Sequence, residues 1–148
     1  MKKFQFRLDA LLKFRQMQKE QAQLNFMQAS QLLRDEQAKL DQLTIKLNEH
    51  VIVFRKSQGS SPTIEELKDF QNYFDKIRDN IKHQNTRVNE AQAARQERLQ
   101  ELHQAAKNYE IVEKFRVKRL LQYKAEALCE EQKFLDELGL QNYVRKVR

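Results

Sequence analysis

His50, His83 and His103, together with the lone Cys129, are the side chains of this 148-residue chain best suited to hold a metal or act as a nucleophile at neutral pH. Their spacing argues against either use. The three histidines do not cluster, and Cys129 has no histidine near it in sequence to draw off its proton. Asp79 and His83 stand four apart, which on a helix makes half of a metal site or an ordinary side-chain pair. The only two glycines, Gly59 and Gly139, are 80 residues apart, so no glycine-rich phosphate loop exists. The pattern implies no catalytic residues, no cofactor, no metal and no small-molecule substrate. Its information must lie in the elements that carry these residues.

Those elements are helices. A third of the residues are charged, and glycine plus proline total three. A chain with so few residues of special backbone freedom makes few turns. Gln, Leu, Lys, Glu, Arg and Ala fill it instead, and all are strong helix formers. One cysteine excludes an internal disulfide and fits a reducing compartment. No apolar run is long enough to span a bilayer, and the basic N-terminus lacks the continuous apolar block of a secretory signal. The cytoplasm is the expected location.

Heptads laid on the first segment place Gln5, Leu12, Lys19, Phe26, Leu33, Leu40, Leu47 and Phe54 at one seam position. Leu8, Arg15, Ala22, Ala29, Glu36, Leu43 and His50 fall at the other. Arg15, Lys19 and Glu36 are polar exceptions expected to weaken the seam. The second segment continues with Leu67, Phe70, Phe74, Ile77, Ile81, Gln84, Val88 and Ala91 at steps of three and four. An eleven-residue step from Val88 reaches Leu99, followed by Leu102, Ala106 and Tyr109, and another reaches Leu120. Such steps relax a left-handed supercoil, so two straighter stretches are expected there.

The helix breakers concentrate between these stripes, at Gly59, Ser60, Ser61 and Pro62. Ser61 with Pro62 suits a cap and first helical residue, and Thr63 with Glu66 suits a capping box. One continuous helix kinked at Pro62 is the plainer alternative. The expected fold is all-α: a single long antiparallel two-helix coiled-coil hairpin over residues 1–148. Helix one covers about 4–56, the turn about 57–61 and helix two about 62–138, with Gly139 as a stop and a basic tail over 139–148. A register in which residue i meets roughly 118 minus i sets Phe54 against Ile64 and Leu67, and Phe26 near Ala91. Helix two is the longer and overhangs the first. The overhang carries Leu120, Leu121, Tyr123, Leu128, Phe134, Leu135 and Leu138, apolar groups that call for an external partner.

The net charge of +7 is uneven. Residues 1–20 carry +4, residues 114–148 carry +4, and the middle carries −1. A hairpin brings both basic stretches to one end. The densest basic run, Lys114–Lys124, is broken by apolar residues and followed by Glu126, Glu130, Glu131, Asp136 and Glu137, unlike a DNA-reading basic helix. A short face of Phe4, Leu8, Leu11 and Leu12 ringed by Lys2, Lys3, Arg7 and Lys13 would also suit a membrane surface. A generic coiled-coil scaffold or secretion chaperone, and a basic nucleic-acid or anionic-membrane binder, stand as alternative readings.

The opening FQFRLDALLKFRQ, with Phe4, Phe6, Leu8, Leu11, Leu12 and Arg15, resembles the start of the flagellar export protein FliJ family. The aromatic stretch Phe70, Tyr73, Phe74, Ile77 and Ile81 is similar to the family's second helix. The resemblance implies a coiled-coil hairpin similar to the central stalk of rotary ATP synthases. It also implies a non-enzymatic stalk and adaptor of the flagellar type III export apparatus, at the cytoplasmic face of the membrane. The implied partners are the hexameric flagellar export ATPase, the cytoplasmic part of the membrane export gate, and export chaperones, with no nucleic acid among them. The ATPase-facing end would comprise Phe4, Phe6, Leu8, Leu12, Leu128, Phe134 and Leu135, with Arg145, Lys146 and Arg148. The gate-facing surface would comprise Leu43, Lys46, His50, Tyr73, Ile77, Asn80 and Gln84. Of these, Lys46, His50, Asn80 and Gln84 depart from the residue types seen in relatives.

Overall fold

The computed structural model describes residues 2–57, 59 and 62–147. Two helices account for nearly all of them: α1, Asp9–Ser57, and α2, Ile64–Val147. They pack against each other as an all-α helical hairpin. The break between them falls where the glycine, serines and proline cluster, so the kinked single helix is not formed.

At the start of α2, Thr63 makes the N-cap half of the expected capping box. The Glu66 amide donates to Thr63 Oγ1 at 3.3 Å, and the Leu67 amide donates to the Thr63 carbonyl at 3.1 Å. The Thr63 hydroxyl thereby satisfies one of the amides that a first helical turn leaves without partners, and its carbonyl accepts the first intrahelical bond. The alternative cap, Ser61, lies outside the described residues. At the end of α1, Ser57 Oγ donates to the Phe54 carbonyl at 2.8 Å, and Arg55 and Lys56 sit favourably in the last turn.

Four expected boundaries move, the first being the start of helix two, at Ile64 rather than 62. Helix one begins at Asp9, not near residue 4. Residues 2–6 are non-helical, and their aromatic side chains dock on α2: Phe4 on Tyr123 and Phe6 on Phe115, with ring centroids 5.6 and 5.9 Å apart. An irregular lead can cover more length of α2 per residue than a helix does, so two rings reach two separate partners. Helix one ends at Ser57 rather than Lys56, a frayed-end difference. Helix two runs through Gly139 to Val147, so the expected tail is helical. Gly139 does not take the left-handed conformation that a glycine stop requires.

The contacts cluster into two compact units, one of residues 21–103 and one of residues 1–20 with 104–148. In the first unit the seam is made of the expected positions except Leu67, which is exposed. Every predicted α1 position from Ala22 to Phe54 is buried or half-buried, as are Phe70, Phe74, Ile77, Ile81, Gln84, Val88 and Ala91. The register sits further along α2 than expected. Phe54 meets Phe70 edge-on at 5.1 Å, and Phe26 lies under Arg95. Arg95 also occupies the step between Ala91 and Leu99, so the seam there reads three, four, four. Its guanidinium covers the Phe26 ring at 5.1 Å while Nε donates to Ser30 Oγ at 3.1 Å.

In the second unit Leu12 and Val112 are buried, and Arg15, Lys19, Ala106, Tyr109, Arg116, Leu120 and Tyr123 are half-buried. The polar exceptions in the seam are accommodated by chemistry rather than expelled. Lys19 lays its ammonium over the Tyr109 ring at 4.9 Å, a cation–π contact with the aliphatic stem lying in the seam. Arg15 donates to Gln18 at 3.1 Å.

Candidate interaction surfaces

Neither unit brings the candidate chemical residues together. Cys129 is exposed, Asp79 and His83 are both exposed, and no group of three metal-capable side chains exists among the described residues. His50 is a seam residue. Its ring lies against Phe70 at 4.9 Å and edge-on to Tyr73 at 4.3 Å, and its Nε2 is 3.4 Å from the Phe70 carbonyl oxygen. What the protein offers is surface, so candidate sites are judged by what they leave uncovered.

The first surface belongs to the unit of residues 1–20 and 104–148. All ten residues of the expected ATPase-facing end fall in it by position. Phe4 and Phe6 are half-buried against α2, and the Tyr123 hydroxyl donates to the Lys2 carbonyl. Leu12 is buried in the seam and so supports the surface rather than forming it. Leu8, Leu128, Phe134, Leu135, Arg145 and Lys146 are exposed; Arg148 lies outside the described residues. From Leu128 to Val147 every residue of α2 is exposed. Leu128, Phe134 and Leu135 each expose more than half of their surface, at 67, 62 and 60%. Apolar groups so bare on a helix with no covering neighbour are a hallmark of an interaction surface.

Placing the end of α2 at Leu138 concealed part of this surface. Leu140, Tyr143, Val144 and Val147 repeat at helical spacing beyond Gly139 and are all exposed. The signal was present in that i, i+3, i+4, i+7 spacing, which outweighs one glycine when good helix formers flank it. At about 100° per residue, this stripe lies on a different face from Leu128, Leu135 and Leu138.

The charge follows the same division. The unit holding both termini carries 16 basic and nine acidic residues, which is the whole excess of +7, whereas residues 21–103 carry 12 of each. Within the charged unit, Arg116 grips Glu113 in a two-pronged pair, Nη2 to Oε1 at 2.7 Å and Nε to Oε2 at 3.1 Å. That hydrogen bonding, aided by the positive charge of Arg116, holds the Glu113 carboxyl below its ordinary range.

The second surface belongs to residues 21–103. Of the expected gate-facing residues, Lys46, Tyr73 and Asn80 are exposed. Leu43 and His50 are half-buried, and Ile77 and Gln84 are buried in the seam at 4 and 6% exposure. Gln84 earns its place there. Its amide donates to the Glu36 backbone carbonyl at 2.9 Å and to the Glu36 carboxylate, so one buried side chain ties the two helices together. The sequence marked both residues as seam positions but did not show that they partner each other. Beside this surface, Phe54, Leu67, Phe70 and Phe74 line an apolar groove near the turn.

Among the described residues, no helix is long and apolar enough to cross a membrane. The family model described as "Flagellar FliJ protein" matches residues 4–148. Among solved structures, the chain resembles one described as a YscO homologue, CT670, from Chlamydia trachomatis. The TM-score is 0.54 at 18% identity, covering 99% of each chain, which is a likeness of fold. No curated protein sequence matches.

Proposed function

The chain belongs to the flagellar FliJ family, and from that premise we propose that it is a non-enzymatic stalk and adaptor of the flagellar type III export ATPase complex. Its ring-facing surface is the exposed end of α2 with the N-terminal lead docked beside it. Residues Phe4, Phe6, Leu8, Leu128, Phe134, Leu135, Arg145, Lys146 and Arg148 make that surface, with Leu12 beneath it. The observation that carries the reading is the coincidence, in one unit, of all the excess positive charge and a fully exposed apolar helix end. A stalk seated in a ring needs apolar groups to bind and charge to orient.

The other unit is the natural place for contact with the cytoplasmic part of the export gate. Lys46, Tyr73 and Asn80 present themselves outward, and Leu43, His50, Ile77 and Gln84 set the seam that positions them. On this reading the protein works at the cytoplasmic face of the membrane and meets export chaperones there. On this reading its role is mechanical and organisational.

Mixing the purified chain with the hexameric export ATPase tests this. The expected result is binding, with a rise in ATP hydrolysis. The double substitution Phe134→Asp with Leu135→Asp should abolish both while leaving helicity intact, because both side chains are already in water. A ring that neither binds the chain nor changes its hydrolysis rate would refute the stalk role.

A further inference from the structure

We propose that the exposed end of α2 is also a self-association surface, pairing antiparallel with the same segment of a second copy of this chain. The proposal rests on a self-complementary pattern. Residues 126–137 hold five acidic groups and one basic, for −4, and residues 138–148 hold three basic and no acidic groups, for +3. Leu138 opens the basic half, and Phe134 and Leu135 lie one helical turn before it in the acidic half; all three are exposed.

The spacing makes the complementarity specific. Glu131, Leu138 and Arg145 are seven residues apart and lie close to one line along the helix. A two-fold axis at Leu138 sets Leu138 on its own counterpart. It also sets Glu131 of each copy opposite Arg145 of the other, and Phe134 and Leu135 close over the centre. Both contacts occur twice, as an isologous interface requires. A parallel pair would instead set Glu131 on Glu131 and Arg145 on Arg145, which like-charge repulsion disfavours. The same alternation argues against a partner of one sign. A polyanion or an anionic bilayer attracted by Arg145 and Lys146 would meet Glu130, Glu131, Asp136 and Glu137 within a few helical turns. A second copy meets neither conflict. The paired segment is about 30 Å long, so the interface is a small one and the association is reversible.

Sedimentation equilibrium on the full chain tests the proposal. The expected mass rises with concentration from 17.8 kDa toward twice that value in the micromolar range. Glu131→Arg and Arg145→Glu should each remain monomeric, because each sets like charges in register. Mixed in equal amounts, the two variants should form a heterodimer, since every reversed charge then faces its opposite. Circular dichroism of each variant, expected to be unchanged, separates lost pairing from lost folding. The single native cysteine supplies the geometry. Spin labels at Cys129 lie nine residues from the axis in each copy, so an antiparallel pair holds them about 27 Å apart along the helix, whereas a parallel pair holds them side by side. A chain that stays monomeric at high micromolar concentration overturns the proposal. So do labels found side by side, or charge-reversed variants that dimerise alone but not with each other.

Discussion

Gln84 and Glu36 show how a polar residue holds a place that packing alone would give to leucine. Both sit at seam positions, and Gln84 is as buried as the apolar residues around it. Its amide would be costly to bury without partners, and it finds two on the opposite helix. The substitution Gln84→Ala should therefore lower unfolding stability by about 1–3 kcal/mol, read from the midpoint of a urea melt. The Glu113–Arg116 pair makes a different, pH-dependent contribution. Because the Glu113 carboxyl is held below its unfolded value, its stabilisation is present above the unfolded pKa and is lost as pH falls through the folded one. Glu113→Gln should flatten that part of the acid limb of a stability-against-pH curve and lower stability slightly at neutral pH, the difference from the native chain closing as pH falls. An unaltered acid limb would show that the pair contributes nothing measurable.

Within α2, the anomaly is Gly139. A glycine in a helix interior is normally excused by a close neighbour or a left-handed turn, and this one has neither. A Cβ added there would meet no atom within 4 Å, and the backbone does not take a positive φ. Gly139→Ala should therefore stabilise the end of α2 by about 1 kcal/mol and raise helicity measured by circular dichroism. The glycine also marks where one apolar stripe gives way to another on a different face. In α1 the corresponding lesson concerns its beginning. The heptads place Gln5 at the seam there, yet Gln5 is exposed and Phe4 and Phe6 on either side of it dock as rings from non-helical chain onto α2. Helical periodicity holds only where the chain is helical, and residues 2–6 are not.

For the molecule as a whole, the division into two units coincides with a division of charge and exposure. The unit of residues 21–103 is neutral and buries or half-buries its apolar seam from Ala22 to Phe54 and from Phe70 to Ala91. The unit holding both termini has all the excess charge and the uncovered end of α2. Deleting residues 128–148 removes no buried side chain among the described residues. The truncated chain should keep the thermal midpoint of the dilute full-length protein and, if the proposed stalk role holds, fail to bind the ATPase ring. A midpoint lowered by many degrees would mean that the segment is structural after all.

Much of this was legible beforehand, for identifiable reasons. Seam positions from Leu12 to Phe54 could be read directly, because burial on a helix repeats every three or four residues and leucine and phenylalanine mark it. The break at residues 59–62 was legible because glycine and proline act on the backbone locally. The family resemblance at FQFRLDALLKFRQ was likewise a matter of residues in order. What the chain's order could not specify was everything set by relative displacement. The register of α2 against α1, the docking of the N-terminal lead, the bond from Gln84 to Glu36 and the cover given by Arg95 to Phe26 all depend on which turn meets which. An apolar stripe remains apolar after sliding by one turn, so periodicity is nearly blind to that shift. Only particular side chains meeting across the seam distinguish one register from the next, and those meetings exist only once the two helices are packed.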